Sequence, residues 1–374
     1  MKVMTISGFG GPEVFSLHDM PEPKAGKGQV VIDVKASSVN PIDLKIRAGM
    51  VPPATPAFPA VLHGDVAGIV TEVGDAVDHL QVGDEVWGCA GGFNGLPSGA
   101  LAEKMVTDAQ LISKKPKNLS FVQAAALPLV SLTAWFALAD RAQVTSGDRV
   151  LIHAGGGGVG HVGIQIAKHL GGIVHTTVSS EEKAGYAREL GADETILYRG
   201  LSVDDYVNAH TNGKGYDVVF DTVGGDNLDA SFNATRFGGT VVNIAARSTH
   251  DLSPMHARSL TLHVVFLVGQ VANPLNRHTI RPRLEKLCEL AENGELRPLL
   301  TNHSLNLKTS PMRMPISNPA KRSAKSFLSG NFVDQFNPMF DRGRSPGRQV
   351  QLTTHIGRCN GRCPGRFECS NFIL

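Results

Sequence analysis

A chain of 374 residues with 42% hydrophobic and 19% charged residues has an ordinary globular composition and is too long for one core, so two domains of about 100 to 200 residues are expected. Thirty-six Lys+Arg against 34 Asp+Glu leave a formal charge of +2, a balance that points away from nucleic acid or a membrane surface as partner. Five cysteines (Cys89, Cys288, Cys359, Cys363, Cys369) build no disulfide framework and suit a reducing compartment, the cytoplasm.

The N-terminal text MKVMTISGFGGPEVF reaches glycines before a signal-length apolar stretch forms. From there to about residue 119, short β-branched runs alternate with Gly and Pro turns: QVVIDVKASSV (29–39), VAGIVTEVG (66–74), GDEVWGCA (83–90) and ALAEKMVTD (100–108). That spacing predicts a mostly antiparallel β domain. Residues 122–139 are the most membrane-like, but they carry Gln123, Pro128, Ser131 and Thr133 and barely reach spanning length, so a buried helix is expected. Beyond about Gly147 the period changes. DRVLIHAG (148–155), IVHTTVSS (173–180), YDVVFDTVGG (216–225) and GGTVVNIAA (238–246) read as strands, with helices at 161–171 and 181–192 between the first of them. Strands alternating with helices predict βαβ units and a doubly wound parallel sheet, so the fold class is α/β.

Gly158-x-Gly160-x-x-Gly163 directly follows the first of these strands and opens a helix. A dinucleotide pyrophosphate needs close backbone approach and the free N–H groups of a helix N-terminus, which this text supplies. An NAD site usually ends the second strand in Asp or Glu about 20 residues past the glycines. Here the strand ends Thr176-Thr177-Val178-Ser179-Ser180, and Ser179 with Lys183 one helical turn on suits a 2′-phosphate, so NADPH is the expected cofactor. Glu181 and Glu182 stand nearby and must point outward for this to hold.

Taken together, VNPIDLKIRAG (39–49), LHGDVAGIVTEVGDAVDHLQVGDEVWG (62–88), AAALPLVSLTAWFAL (124–138), HAGGGGVGHVGIQIAKHLG (153–171) and VSSEEKAGYARELGAD (178–193) resemble the medium-chain dehydrogenase/reductase superfamily, and within it the zinc-free quinone oxidoreductases. The resemblance implies a GroES-like β domain (1–122), a Rossmann NADPH-binding domain (123–272) and a return segment (273–306). It implies Asn40, Asp43, Lys45 and Thr133 at the catalytic end, with Asn40 and Thr133 beside the nicotinamide. Gly157, Gly158, Val159 and Gly160 would bear the pyrophosphate, and Ser179, Lys183 and Tyr198 the adenosine phosphate. Asn40-Pro41 and Asp43 have a competing reading as turn formers. Lys45 stands where such reductases often carry tyrosine. The implied substrate is a small electrophile, a quinone or an enone, and the implied assembly is a homodimer.

Zinc is not expected. The zinc branch has Cys at the position of Asn40 and His at that of Gly64, between His63 and Asp65; Cys89 is the only cysteine before residue 288, so the four-cysteine lobe is missing too. Two other functions stay open on the residues: a zinc-type alcohol dehydrogenase, and a dinucleotide-binding protein without turnover.

The last 68 residues differ from the rest. Residues 1–306 hold 25 Lys+Arg and 31 Asp+Glu, while residues 307–374 hold 11 and 3 and show no sustained apolar period. Restoring one base after Asn306 lets Leu307–Phe327 read L-E-D-V-A-H-A-H-A-Y-L-E-S-G-K-A-I-G-K-V-V, which resembles the family's C-terminal helix and strand. Residues 307–374 are accordingly expected to be an out-of-frame, disordered tail whose Cys359, Cys363 and Cys369 form no metal or nucleic-acid module.

Overall fold

The computed structural model describes residues 1–304 and 325–329. Its strands are β1 (Lys2–Ile6), β2 (Phe15–Asp19), β3 (Gln29–Ser38), β4 (Asp65–Val73), β5 (Glu85–Cys89), β6 (Lys104–Asp108), β7 (Ile112–Lys114), β8 (Arg149–Ile152), β9 (Ile173–Val178), β10 (Glu194–Leu197), β11 (Tyr216–Asp221), β12 (Thr235–Asn243), β13 (Thr261–Val264), β14 (Leu300–Ser304) and β15 (Lys325–Ser329). The helices are α1 (Pro41–Arg47), α2 (Phe121–Ala125), α3 (Pro128–Trp135), α4 (Gly158–His169), α5 (Glu181–Glu189), α6 (Val203–Thr211), α7 (Asn227–Ala234), α8 (Ser253–Arg258), α9 (Leu267–Ala272) and α10 (Ile280–Glu292).

The first sheet is built on β3, which pairs antiparallel with β4 along one edge and with β6 on the other; β5 and β7 extend it beyond β4. β6 covers only Gln29–Asp33, leaving the far end of that edge with unpaired backbone groups. β15 fills it, with Phe327 opposite Ser38. Lys325–Ser329 belong to the expected tail and form this strand; the remaining residues of 307–374 lie outside the described residues.

The second sheet is parallel throughout, in the order β10-β9-β8-β11-β12-β13. β8 comes first in the chain and is flanked by β9 on one side and β11 on the other, so the winding reverses direction at its carboxyl end. Alternation along each strand divides the core. Val150, Ile152, Phe220 and Val242 join the large cluster that continues into the first lobe, while Leu151, Val219 and Val241 face a second cluster with Tyr206 and Phe232.

Two readings shift. The helix expected over 161–171 begins at Gly158, inside the glycine run, because those residues carry no side chain to clash with the turn beneath. The single helix expected over 122–139 is broken: Pro128 cannot continue α2 and starts α3, and a π-helical turn over Phe136–Arg141 follows. These pieces are buried as expected, and no helix among the described residues is long and apolar enough to cross a membrane. α3 packs on α4 of the second lobe and on β4 and β5 of the first, so it is the mechanical link between the lobes. Arg277 ties the loop after β5 to α9 and to the end of β6: it donates to Gly95 O at 2.7 Å and to Val271 O at 3.1 Å, and pairs with Asp108 at 3.2 Å.

Candidate active site

The glycine turn follows β8 at the point where the sheet order reverses. Gly157 caps α4, whose first N–H groups have no intrahelical acceptor. A Cβ on Gly160 would stand 2.2 Å from the Ala154 carbonyl oxygen, so the turn can close only with glycine there. Thr177 of β9 fastens the turn from the side: its Oγ1 accepts from Ala154 N at 3.1 Å and its carbonyl accepts from Gly155 N at 3.1 Å. His153, fully buried at the foot of the turn, shares a 3.2 Å hydrogen bond with Thr177 Oγ1. Burial holds the His153 imidazole below its ordinary range, partly offset by the Asp221 carboxylate.

Ser179 and Tyr198 each follow the carboxyl end of a strand, β9 and β10, and those strands pair with Leu197 beside Val178, so both stand at the same sheet edge as the glycines. Ser180, not Ser179, caps α5, accepting from Lys183 N. The methylenes of Lys183 lie across Gly156, 3.0 Å from where a Cβ would be. Its ammonium is held below the usual lysine range, first by burial and then by the Arg199 guanidinium. Arg199 was not singled out in the sequence; its position beside Tyr198 was the available signal. The structure thus brings together Gly157, Gly158, Val159, Gly160, Ser179, Lys183 and Tyr198 at one edge and adds Arg199.

At the other end, Asn40 is the N-cap of α1, with Pro41 at the first helical position. The Asn40 N–H donates to Asp43 Oδ2 at 2.7 Å, so Asp43 closes the first turn of the helix, the structural role that competed with a catalytic one. The Asn40 amide nitrogen donates to Asp65 Oδ2 at 2.8 Å, while Asn40 Oδ1 is buried with no hydrogen-bond partner. Asp65 is the residue that sequence reasoning missed. Wholly buried, it accepts from Ser38 Oγ at 2.6 Å as well as from Asn40, and its other oxygen accepts from Leu129 N at 2.7 Å. One carboxylate therefore joins β3, α1 and the start of α3. Thr133, one turn further along α3, is buried and donates to Leu129 O at 2.7 Å. His63 is buried with its Nδ1 3.1 Å from Ser37 Oγ, in a left-handed backbone conformation.

Lys45 lies farther along α1, half-buried, and its ammonium is held below the usual range, first by burial and then by Arg247. Arg247 follows the carboxyl end of β12 and donates to Met50 O at 3.2 Å, just past α1. This contact brings the turn after α1 to the sheet edge that carries the glycine turn.

Zinc does not fit these residues. Asn40 presents a donating amide to Asp65, and Asp65 has both oxygens engaged by three donors. No group of three or more His, Cys, Asp or Glu is placed to hold a metal among the described residues.

A β lobe joined to a parallel-sheet lobe with a glycine-turn helix at the switch point defines a two-domain, dinucleotide-dependent oxidoreductase. The alcohol dehydrogenase GroES-like domain model matches residues 26–117, and the zinc-binding dehydrogenase model matches residues 158–288. A 2-haloacrylate reductase from a Burkholderia species is 38% identical over 230 residues, covering 61% of this chain and 68% of the relative. The chloroplastic NADPH-dependent alkenal/one oxidoreductase of Arabidopsis thaliana is 37% identical over 254 residues, covering 67% of this chain and 64% of the relative. The crystal structure of Escherichia coli quinone oxidoreductase complexed with NADPH superposes with a TM-score of 0.77 at 27% identity, covering 88% of this chain and 100% of that one. The chain belongs to the medium-chain dehydrogenase/reductase superfamily, in its zinc-free quinone oxidoreductase group.

Proposed function

We propose that the protein is a metal-free, NADPH-dependent reductase that passes a hydride to a quinone or an α,β-unsaturated carbonyl. The observation that carries this is the Asn40–Asp65 bond: the side chain standing where the zinc branch keeps a cysteine is committed to a buried carboxylate. Without a metal to polarise an alcohol, the suited substrates are those that need only a positioned hydride. The relatives named for 2-haloacrylate, alkenal/one and quinone chemistry share an electron-poor multiple bond.

In this reading the N–H groups of Gly157, Gly158, Val159 and Gly160 hold the pyrophosphate, and Ser179, Lys183 and Tyr198, joined by Arg199, hold the 2′-phosphate. Bound there, NADPH supplies the hydride from its nicotinamide ring. Asn40 and Thr133 border that ring, and the unpartnered Asn40 Oδ1 is suited to accept from a carboxamide. Asp43 and Asp65 position Asn40, and Lys45 stands by the acceptor; a proton reaches the product from water.

The functional unit in this proposal is a cytoplasmic homodimer. Among the described residues β13 is an edge strand of the second sheet, and Val264 and Phe266 beside it are exposed, a surface suited to a second copy of the chain. Residues 1–122 act as the GroES-like catalytic domain and 123–272 as the nucleotide domain. Residues 273–306 return to the first, as the packing of α10 on β7 supports. Residues 307–374 are out-of-frame translation: the shifted text places K-V-V, richer in β-formers, at Lys325–Phe327, the start of the strand whose Phe327 pairs with Ser38 of β3. Sequencing genomic DNA across codon 306 tests this, with a missing base expected and an intact frame contradicting it.

For the activity itself, the purified chain is assayed for NADPH and NADH oxidation with neutral quinones and enones. Turnover with NADPH preferred is the expected result. Tight NADPH binding with no turnover on any acceptor would make the chain a non-catalytic nucleotide binder.

A further inference from the structure

Lys45 and Arg247 form a feature that neither the nucleotide cradle nor the Asn40–Asp65 network uses. Lys45 is half-buried on α1, and among the described residues no hydrogen bond or ion pair holds its Nζ. Arg247 reaches from the carboxyl edge of the second sheet to Met50 O at 3.2 Å, and Met50 N donates to Lys45 O at 2.9 Å, so the two cations meet on one turn, where the Arg247 charge adds to burial in holding the Lys45 ammonium below its usual range. Arg247 in turn has no carboxylate partner among the described residues; it donates to that neutral carbonyl. Two like charges brought together from separate lobes, one of them half-buried, raise each other's energy unless an anion stands between them. A solvated lysine would instead extend its head into water, as long charged side chains ordinarily do.

The surroundings add a second character. Met50 is 51% exposed, the Phe9 ring lies over Gly49, 2.9 Å from where a Cβ would be, and Phe58 meets Phe9 edge-on at 5.2 Å. The cation pair therefore has an apolar rim beside it on the same turn after α1.

We propose that Lys45 and Arg247 together bind an anionic group on the acceptor, so that the preferred substrates are α,β-unsaturated carboxylic acids with a short apolar body rather than neutral quinones. The proposal rests on the reading of this site as an NADPH-dependent reductase of conjugated carbonyls. Reduction of such an acid forms a C–H bond at the β-carbon with the hydride, breaks the C=C π bond, and takes one proton from water at the α-carbon, while NADPH becomes NADP+. As the π electrons move toward the carboxylate, a second negative charge develops there, and fixed cations are the groups that stabilise it.

The experiment compares kcat/KM for crotonate and crotonamide, a charged and a neutral acceptor of similar shape, with methyl vinyl ketone as a neutral enone. It uses the full chain and its Lys45→Met, Lys45→Arg and Arg247→Met variants, with NADPH affinity measured by fluorescence for each. The wild-type chain is expected to prefer crotonate by about tenfold or more, Lys45→Met and Arg247→Met to collapse that preference, and Lys45→Arg to retain most of it. On the wild-type chain alone, butyrate is expected to compete with methyl vinyl ketone at about a tenth of the concentration of butyramide. Equal use of crotonate and crotonamide, or equal inhibition by butyrate and butyramide, overturns the proposal. So does a variant whose only change is weaker NADPH binding, which would assign the pair to the cofactor. Absence of turnover with methyl vinyl ketone and every other conjugated acceptor overturns the underlying reading instead.

Discussion

At the glycine turn the groups proposed to hold the cofactor are backbone N–H donors from consecutive residues, 157 to 160, steered by one strand and one helix. Around Asp65 the working groups are side chains and one N–H drawn from residues 38, 40, 65 and 129, which belong to three elements of one lobe and the helix that links it to the other. The first construction tolerates change wherever the main chain is not displaced. The second concentrates its cost in a single buried carboxylate, so the two ends should fail differently when broken.

Removing that carboxylate has the largest expected effect. Asp65→Ala strands three donors in a buried setting, each worth about 1–3 kcal/mol, and a loss of roughly 3–5 kcal/mol in unfolding free energy is expected from denaturant titration. Asp65→Asn restores one acceptor and should recover part of the loss.

The matching test at the nucleotide end is Gly160→Val. The 2.2 Å approach to the Ala154 carbonyl can be relieved only by moving the turn, at a cost of about 1–3 kcal/mol, and NADPH affinity should fall by about a hundredfold. An unchanged Kd by fluorescence titration would show that the turn does not hold the cofactor.

Next in size is Lys183→Met, and Arg199→Met beside it. Each removes one cation from the expected phosphate position and should narrow the preference for NADPH over NADH by about tenfold, measured as a ratio of dissociation constants. A preference that survives both changes would move the 2′-phosphate elsewhere.

The smallest effect is in pH. The folded pKa of His153 lies below its unfolded value of about 6.5, so the unfolded chain takes up a proton that the folded chain refuses. The stability this histidine contributes is complete above about pH 6.5 and is lost as pH falls from there toward the folded value, by at most about 1.4 kcal/mol per pH unit. Melting curves should drop over that window, and His153→Gln should flatten the drop; an identical slope in the variant would assign it to other groups.

The same contrast explains what the sequence could show. The glycine turn was legible because its function lies in adjacent letters, with the strand before and the helix after, and the missing acid after β9 could be read in the same way. Asn40 and Asp43 were legible as a motif, but their division of labour was not, since only the three-dimensional cap shows the Asp43 carboxylate on the Asn40 N–H. Asp65 stands next to Gly64, the position that marks a lost zinc ligand, and carries no motif of its own. Nothing local says that its oxygens reach Ser38 and Leu129. Arg247 and Arg199 carry no motif at all; they matter because parallel strands bring the residues after β10 and β12 to the edge where the glycines are.

The most direct test of a metal-free hydride transfer uses chelator-treated protein, NADPH deuterated at the transferable C4 position, and a simple enone. Deuterium found at the β-carbon of the product by NMR, in the same yield with and without chelator, is the predicted result. Loss of turnover on chelation that zinc restores, or a product whose β-carbon hydrogen comes from solvent, would contradict it.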